Sequence, residues 1–212
     1  MRSRLTEEKK MDQSKHLVKL HPDAKIISFE HKLFILNTFK KNISGLLGID
    51  YFSLIIVDSQ KQISLYSTCP SLEFGLISEN MWELDGIFKP ENHQDGAFFF
   101  WDELYPEAFK NTLIKEKETK FGFHFGFYVM KQLNDVFAIY SFATKSQKEK
   151  EIYRNSKDTL MKIGDYLFNE LKGVHSKYVL RDVEKCSLAK ASSHLRLIID
   201  NTKYKKWFSR SR

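Results

Sequence analysis

Two apolar, β-prone runs held together by a short polar bend constrain this chain more than any other feature. Phe121–Met130 and Val136–Phe142 are rich in Phe, Tyr, Val and Ile, and Gln132–Asp135 separates them. Aromatic and β-branched residues suit a pleated, half-buried surface. So short a connection permits only antiparallel pairing. The device recurs upstream, where Tyr51–Val57 and Ile63, Leu65 and Tyr66 flank a turn over Asp58–Gln62. Ala97–Trp101 supplies a fifth strand.

Helical patterns surround these strands. Ser28 is expected to N-cap a helix carrying Leu36, Phe39, Ile43, Leu46 and Leu47 on one face and stopped by Gly48. Helices are also expected near Leu72–Met81 and Pro106–Lys117. Ser146 and Glu149 are spaced as a capping box. They open a long helix with Tyr153, Leu160, Ile163, Leu167 and Leu171 on one face, ending at Gly173. A last helix is expected over Lys177–Lys190. The order predicts an α+β chain, with a five-stranded antiparallel sheet between helical layers, a three-layer α-β-α sandwich on the PAS- or GAF-like plan. A short helical basic appendage follows it.

The organisation expected is a flexible leader over 1–25, a sensor-like domain over 26–173 and a basic tail over 174–212. The net charge of +7 is uneven, because residues 172–212 alone carry +8 and the remainder is nearly neutral. A basic arm of this kind grips a polyanion such as DNA without sequence preference, or is a solvated tail. Lys203, Lys205, Lys206, Arg210 and Arg212 are the candidate phosphate contacts. No apolar run approaches the roughly 18 residues of a membrane helix, and the charged N-terminus lacks the apolar core of a secretion signal. A cytoplasmic protein without membrane contact is therefore expected. Two distant cysteines, Cys69 and Cys186, offer neither a disulfide framework nor metal-ligand spacing.

Signatures of catalysis are absent: there is no phosphate-binding glycine loop, nucleophile elbow or zinc-protease motif. No catalytic residue, metal or cofactor is expected, and the activity read from the sequence is binding. His124 is expected as a hydrogen-bonded core or edge histidine. The glycines at 122 and 126 are expected inside a strand, permitting a bulge or close backbone approach. The chain has 18 Phe and is 14% aromatic, and aromatic walls with a few fixed polar groups are the make-up of a small-ligand pocket. Asp85 lies between Trp82 and Trp101. Its carboxylate either accepts a hydrogen bond from a ligand N–H or caps a turn at Gly86.

The order of these motifs resembles the autoinducer-binding domain of LuxR-type transcription regulators. There an Asp precedes, by about fifteen residues, a Trp that ends a short aromatic strand; here Asp85 precedes Phe98-Phe99-Phe100-Trp101 by sixteen. Phe121-Gly122-Phe123-His124-Phe125-Gly126 and Phe142-Ala143-Thr144 resemble the strand motifs that follow, and Ser67-Thr68-Cys69-Pro70 stands where a pocket-lining segment begins. The resemblance covers about 29–171. It implies a small apolar or amphipathic ligand with Asp85 as acceptor and Trp101, Trp82, Phe74 and Tyr66 as walls. It also implies dimerisation through the long helix, as a homodimer or with another LuxR-type regulator. That helix serves equally to pack on the sheet. In the family a Tyr-x-x-x-Trp-x-x-x-Tyr run grips the lactone; Cys69, Glu73 and Ile77 stand at those positions here. The departure implies that the ligand is not a typical acyl-homoserine lactone. Arg181–Ser192 resembles the opening of the family's helix-turn-helix domain, but only 32 residues remain from Arg181, which implies a truncated or diverged reader. The alternatives are a ligand-free module that dimerises with and inhibits a full-length regulator, and an unrelated PAS- or GAF-like accessory or host-interacting protein.

Overall fold

Tyr51–Val57 is buried at every position, as a strand covered on both faces must be. It is β2 of a six-stranded sheet in the computed structural model, which describes residues 18–79, 81–147 and 150–187. In chain order these are β1 (Lys19–Leu20), α1 (Ala24–Glu30), α2 (Lys32–Asn42), β2, β3 (Gln62–Ser67), α3 (Pro70–Ser78), β4 (Phe98–Phe100), α4 (Lys110–Phe121), β5 (Phe125–Leu133), β6 (Val136–Thr144), α5 (Glu151–Asn155) and α6 (Lys157–Ser187). The spatial order is β1-β3-β2-β6-β5-β4. The five strands from β2 to β6 pair antiparallel. β1 adds a sixth, parallel to β3. The sheet is therefore mixed, which corrects the five-stranded antiparallel expectation. The extra strand comes from Val18–Lys25, the end of the expected leader. Lys19 and His21 bond Lys61 and Ile63 through the main chain, each at 2.9 Å.

Both hairpins form, and their turns show why. Asp58 Oδ1 accepts from the backbone N–H groups of Gln60 and Gln62 at 2.8 Å each. This Asx-type geometry holds the first bend. The second turns at Asn134, whose φ of 49° is left-handed, a conformation Asn tolerates. The strand expected to begin at Phe121 begins at Phe125. Phe121 instead ends α4, and Gly122, at φ 71°, is its left-handed cap. His124 therefore precedes the strand at the surface, with Nδ1 3.2 Å from Glu118 Oε1.

Strand periodicity of two sorts side chains onto two faces. One face carries Tyr51, Ser53, Ile55, Leu65, Tyr128, Ile139 and Ser141, and α3, α4 and the turns between them cover it. The other carries Phe52, Leu54, Tyr66, Phe127, Tyr140 and Phe142. The Tyr153 ring of α5 packs there, 4.9 Å from that of Phe127. Asp165 of α6 accepts from Tyr140 OH at 2.9 Å and pairs with Lys131 at 2.6 Å.

Helix boundaries depart from expectation where side-chain spacing was ambiguous. The first expected helix is two, broken at His31, and Ser28 lies buried inside α1 rather than at its N-cap. The long helix breaks at Ser156, then runs through Gly173 to Ser187 without stopping. Glycine costs a helix only about 1 kcal/mol, which neighbouring good formers absorb. The expected separate helix over Lys177–Lys190 is thus part of α6 as far as Ser187. Glu149 of the expected capping box and the tail from Leu188 fall outside the described residues. The chain divides into two compact units at Leu171–Lys172.

Candidate ligand-binding site

The segment after α3 is a chain of short 3-10 turns, Trp82–Leu84, Gly86–Phe88 and Pro90–Asn92. It lays Asp85 across the sheet. The turn brings Gly86 so close to the Leu104 carbonyl that a Cβ there would overlap it. Asp85 does both things its sequence position allowed. Its Oδ1 accepts from Ile87 N–H at 3.2 Å, capping the turn. Its Oδ2 faces inward and accepts from Tyr128 OH at 2.7 Å and from the Lys117 ammonium at 3.2 Å.

Lys117 was not anticipated. It lies on α4, whose other charged residues face water, and its one sequence signal is its place among the apolar-face positions Leu113 and Phe121. It is 4% exposed and Asp85 2%, so the pair is an interior ion pair. The Lys117 Nζ also donates to Tyr105 OH. It sits 4.1 Å above the Trp101 ring and 4.8 Å from that of Tyr105. Ring faces carry negative potential and hold a desolvated cation. Burial lowers the Lys117 pKa, and the Asp85 charge opposes that shift. Burial, then the Asp85 charge, pushes the hydroxyls of Tyr105 and Tyr128 well above their usual range. Both remain donors at neutral pH.

Trp101 closes the wall between α4 and the sheet. Its indole N–H donates to Ser141 Oγ at 3.2 Å, and its ring lies flat over Gly126, where any Cβ would overlap it. The close-approach reading of Gly126 thus holds, with the indole as the group that needs the space.

A second polar cluster lies beside this one. Glu73, on the inner face of α3, accepts from Tyr51 OH through Oε1. Its Oε2 and the Ser53 hydroxyl are buried without partners. Burial raises the Glu73 carboxyl, opposed by the Tyr51 hydrogen bond. A buried acceptor left unpaired costs about 1–3 kcal/mol. Such a cost is tolerated where another group can satisfy it.

These clusters border a cavity of about 30 Å³ whose lining includes Ser53, Glu73, Trp82, Asp85, Trp101 and Lys117. A second cavity of about 70 Å³ opens toward the surface past Asp102, His124 and Lys150. Trp101 and Lys117 line both and form the wall between them.

Of the sequence-predicted wall residues, Asp85, Trp101 and Trp82 meet at the inner cavity. Phe74 and Tyr66 do not. Phe74 points along α3 toward α1, where its ring stands 5.6 Å from that of Phe29. Tyr66 pairs with Leu54, which puts it on the opposite sheet face. A slip of one position in a strand exchanges faces, and its neighbour Leu65 lines the cavity instead. Lys203, Lys205, Lys206, Arg210 and Arg212 lie outside the described residues. Among the described residues no group of His, Cys, Asp and Glu could hold a metal. No helix there is long and apolar enough to cross a membrane.

The sequence matches no family model and no curated protein. Among solved structures the chain is similar to SdiA in complex with octanoyl-rac-glycerol, at 20% identity and a TM-score of 0.47 over 68% of this chain and 60% of that one. It is similar to Escherichia coli SdiA at 18% identity, with a TM-score of 0.43 over 70% of this chain and 62% of that one. It is also similar to the LBD domain of VqsR from Pseudomonas aeruginosa at 8% identity, with a TM-score of 0.39 over 69% of this chain and 90% of that one. The chain spans about 60% of the length of the SdiA chains.

Proposed function

We propose that the unit ending at Leu171 is a small-molecule sensing domain of the LuxR-regulator type, and that its ligand enters the cavity bordered by Asp85, Trp82 and Trp101. The observation that carries this reading is convergence. Polar groups from β2, α3, the Asp85 turn, α4 and β5 point into one aromatic-walled space, and two of them, Glu73 Oε2 and Ser53 Oγ, await partners. Ser28 Oγ, buried in α1, is unpaired as well, so what singles out these two atoms is their position against the cavity. The work of such a site is recognition, in which the ligand supplies the missing hydrogen bonds and its apolar part meets the aromatic walls.

The same chemistry argues against acyl-homoserine lactones. Glu73 stands where the family has its Trp, so the indole N–H that would meet a lactone carbonyl is missing. We expect no thermal stabilisation of the protein by acyl-homoserine lactones at low micromolar concentration. A thermal-shift screen of small amines, amides and polyols tests the sensing reading itself. A hit whose effect disappears in Ser53→Ala and Glu73→Gln supports it; no hit in the wild type across those classes removes it.

One observation favours a second reading, a ligand-free module that pairs with another regulator. Asp85 already has an internal cation, and the inner cavity is only about 30 Å³. On that reading the protein pulls down a LuxR-type partner and reduces that partner's DNA occupancy with no small molecule present.

A further inference from the structure

The groups around the Lys117 Nζ form a set that recognises any primary ammonium. A carboxylate oxygen lies at 3.2 Å, a phenol oxygen accepts a second N–H, and two aromatic faces stand at 4.1 and 4.8 Å. The carboxylate is itself fixed by Tyr128 OH and the Ile87 N–H, so the box is organised around the cation from outside α4. Only the cation is delivered by α4, at the end of a four-carbon stem that runs along the wall between the two cavities. Beside this box a second buried carboxyl group, that of Glu73, lines the same cavity.

The geometry points to an ammonium-binding site formed by Asp85, Trp101, Tyr105 and Tyr128, which Lys117 fills as a ligand tethered to the chain and which a small primary alkylamine occupies when the Lys117 side chain is out of it. This rests on the reading of the Asp85 cavity as a recognition site and names the class of molecule it takes. Lys117 is then an internal occupant. It leaves no uncompensated carboxylate when no ligand is bound, since burying one alone is costly. Its departure joins the surface cavity to the inner one, opening a path for an amine whose alkyl part follows the track of the lysine stem.

Lys117→Ala removes Cγ, Cδ, Cε and Nζ, the skeleton of n-propylammonium. The experiment is thermal unfolding of the full chain as wild type, Lys117→Ala, Lys117→Met and Lys117→Ala/Asp85→Asn. Each is measured with n-propylammonium chloride, with sodium chloride at equal ionic strength and with 1-propanol. Lys117→Ala is expected to unfold at lower temperature and to be rescued by propylammonium alone. For a site of about 10 mM affinity at about 100 mM amine, the rescue is about 3–6 °C. Wild type should not respond, because the site is filled. Lys117→Met should not respond, because the stem track is filled. The double variant should not respond, because the carboxylate is gone. Should Lys117→Ala fail to stay folded, refolding yield with and without propylammonium reads the same rescue. Equal effects of propanol or sodium chloride overturn the inference, as does rescue that persists in the double variant, or no rescue in either measurement. None of these outcomes depends on a cognate ligand, so the sensing reading stands or falls separately on its own screen.

Discussion

Glu73 shows how much one side chain can decide. Its carboxyl lies in the core, raised by burial, with one oxygen unpaired. A folded-state pKa above the unfolded value means that the folded state binds the extra proton. Stability is then highest below the ordinary carboxylate range and falls as pH rises through the folded pKa. Glu73→Gln removes this loss. We expect its urea midpoint to be flatter than that of the wild type from pH 4 upward, and to lie above it at neutral pH. Gly126 is the opposite case, a position set by space. A methyl there meets the Trp101 indole, so Gly126→Ala should cost about 1–3 kcal/mol by overpacking. It should also change Trp101 fluorescence, measurable in the same denaturation series.

At the scale of elements, the two sheet faces serve different ends. The face under α3 and α4 carries the polar cavity. The face under α5 and α6 is closed by rings, and by Gly164, which seats against the Tyr140 ring with no room for a Cβ. Asp165 links that helix to two strands through Tyr140 and Lys131. Asp165→Ala strands the Tyr140 hydroxyl and should cost about 1–3 kcal/mol. Amine rescue of Lys117→Ala should survive this change, because the cavity lies on the other face; chemical denaturation combined with the propylammonium titration checks both.

For the whole molecule, the charge division matters most. Residues 172–212 carry a net charge of +8, and charge of that kind attracts phosphates without reading a sequence. We expect DNA binding that is alike on a palindromic and a scrambled duplex and that weakens steeply with salt. A titration at two salt concentrations checks this; a preference beyond about tenfold that survives high salt would show a sequence-reading element. Truncation after Gly173 should abolish the binding while leaving the remaining chain cooperatively folded.

Much of this was legible in the residues, for physical reasons that are local. The hairpins could be read because β-prone runs and turn chemistry act between neighbours, whereas Asp85 and Trp101 were brought together by the resemblance in their spacing and both line the inner cavity. The breaks at His31 and Ser156 and the continuation through Gly173 could not be read, because whether a helix stops at a poor former depends on whether packing outweighs a cost of about 1 kcal/mol. Tyr66 was misplaced because adjacent strand positions face opposite ways, and register is set by partners far along the chain. Lys117 was missed for the same kind of reason. On a helix of charged residues the only mark on this lysine is its spacing from Leu113 and Phe121, and its burial becomes bearable only when the fold brings up the carboxylate, two phenols and an indole. Composition and periodicity act through neighbours and settle the two hairpins and the α+β class, whereas the parallel β1 and the helix breaks are decided by distant partners. The ion pair and its cage join groups 32 and 43 positions apart along the chain, so they come into being only when the sheet and α4 close over one another.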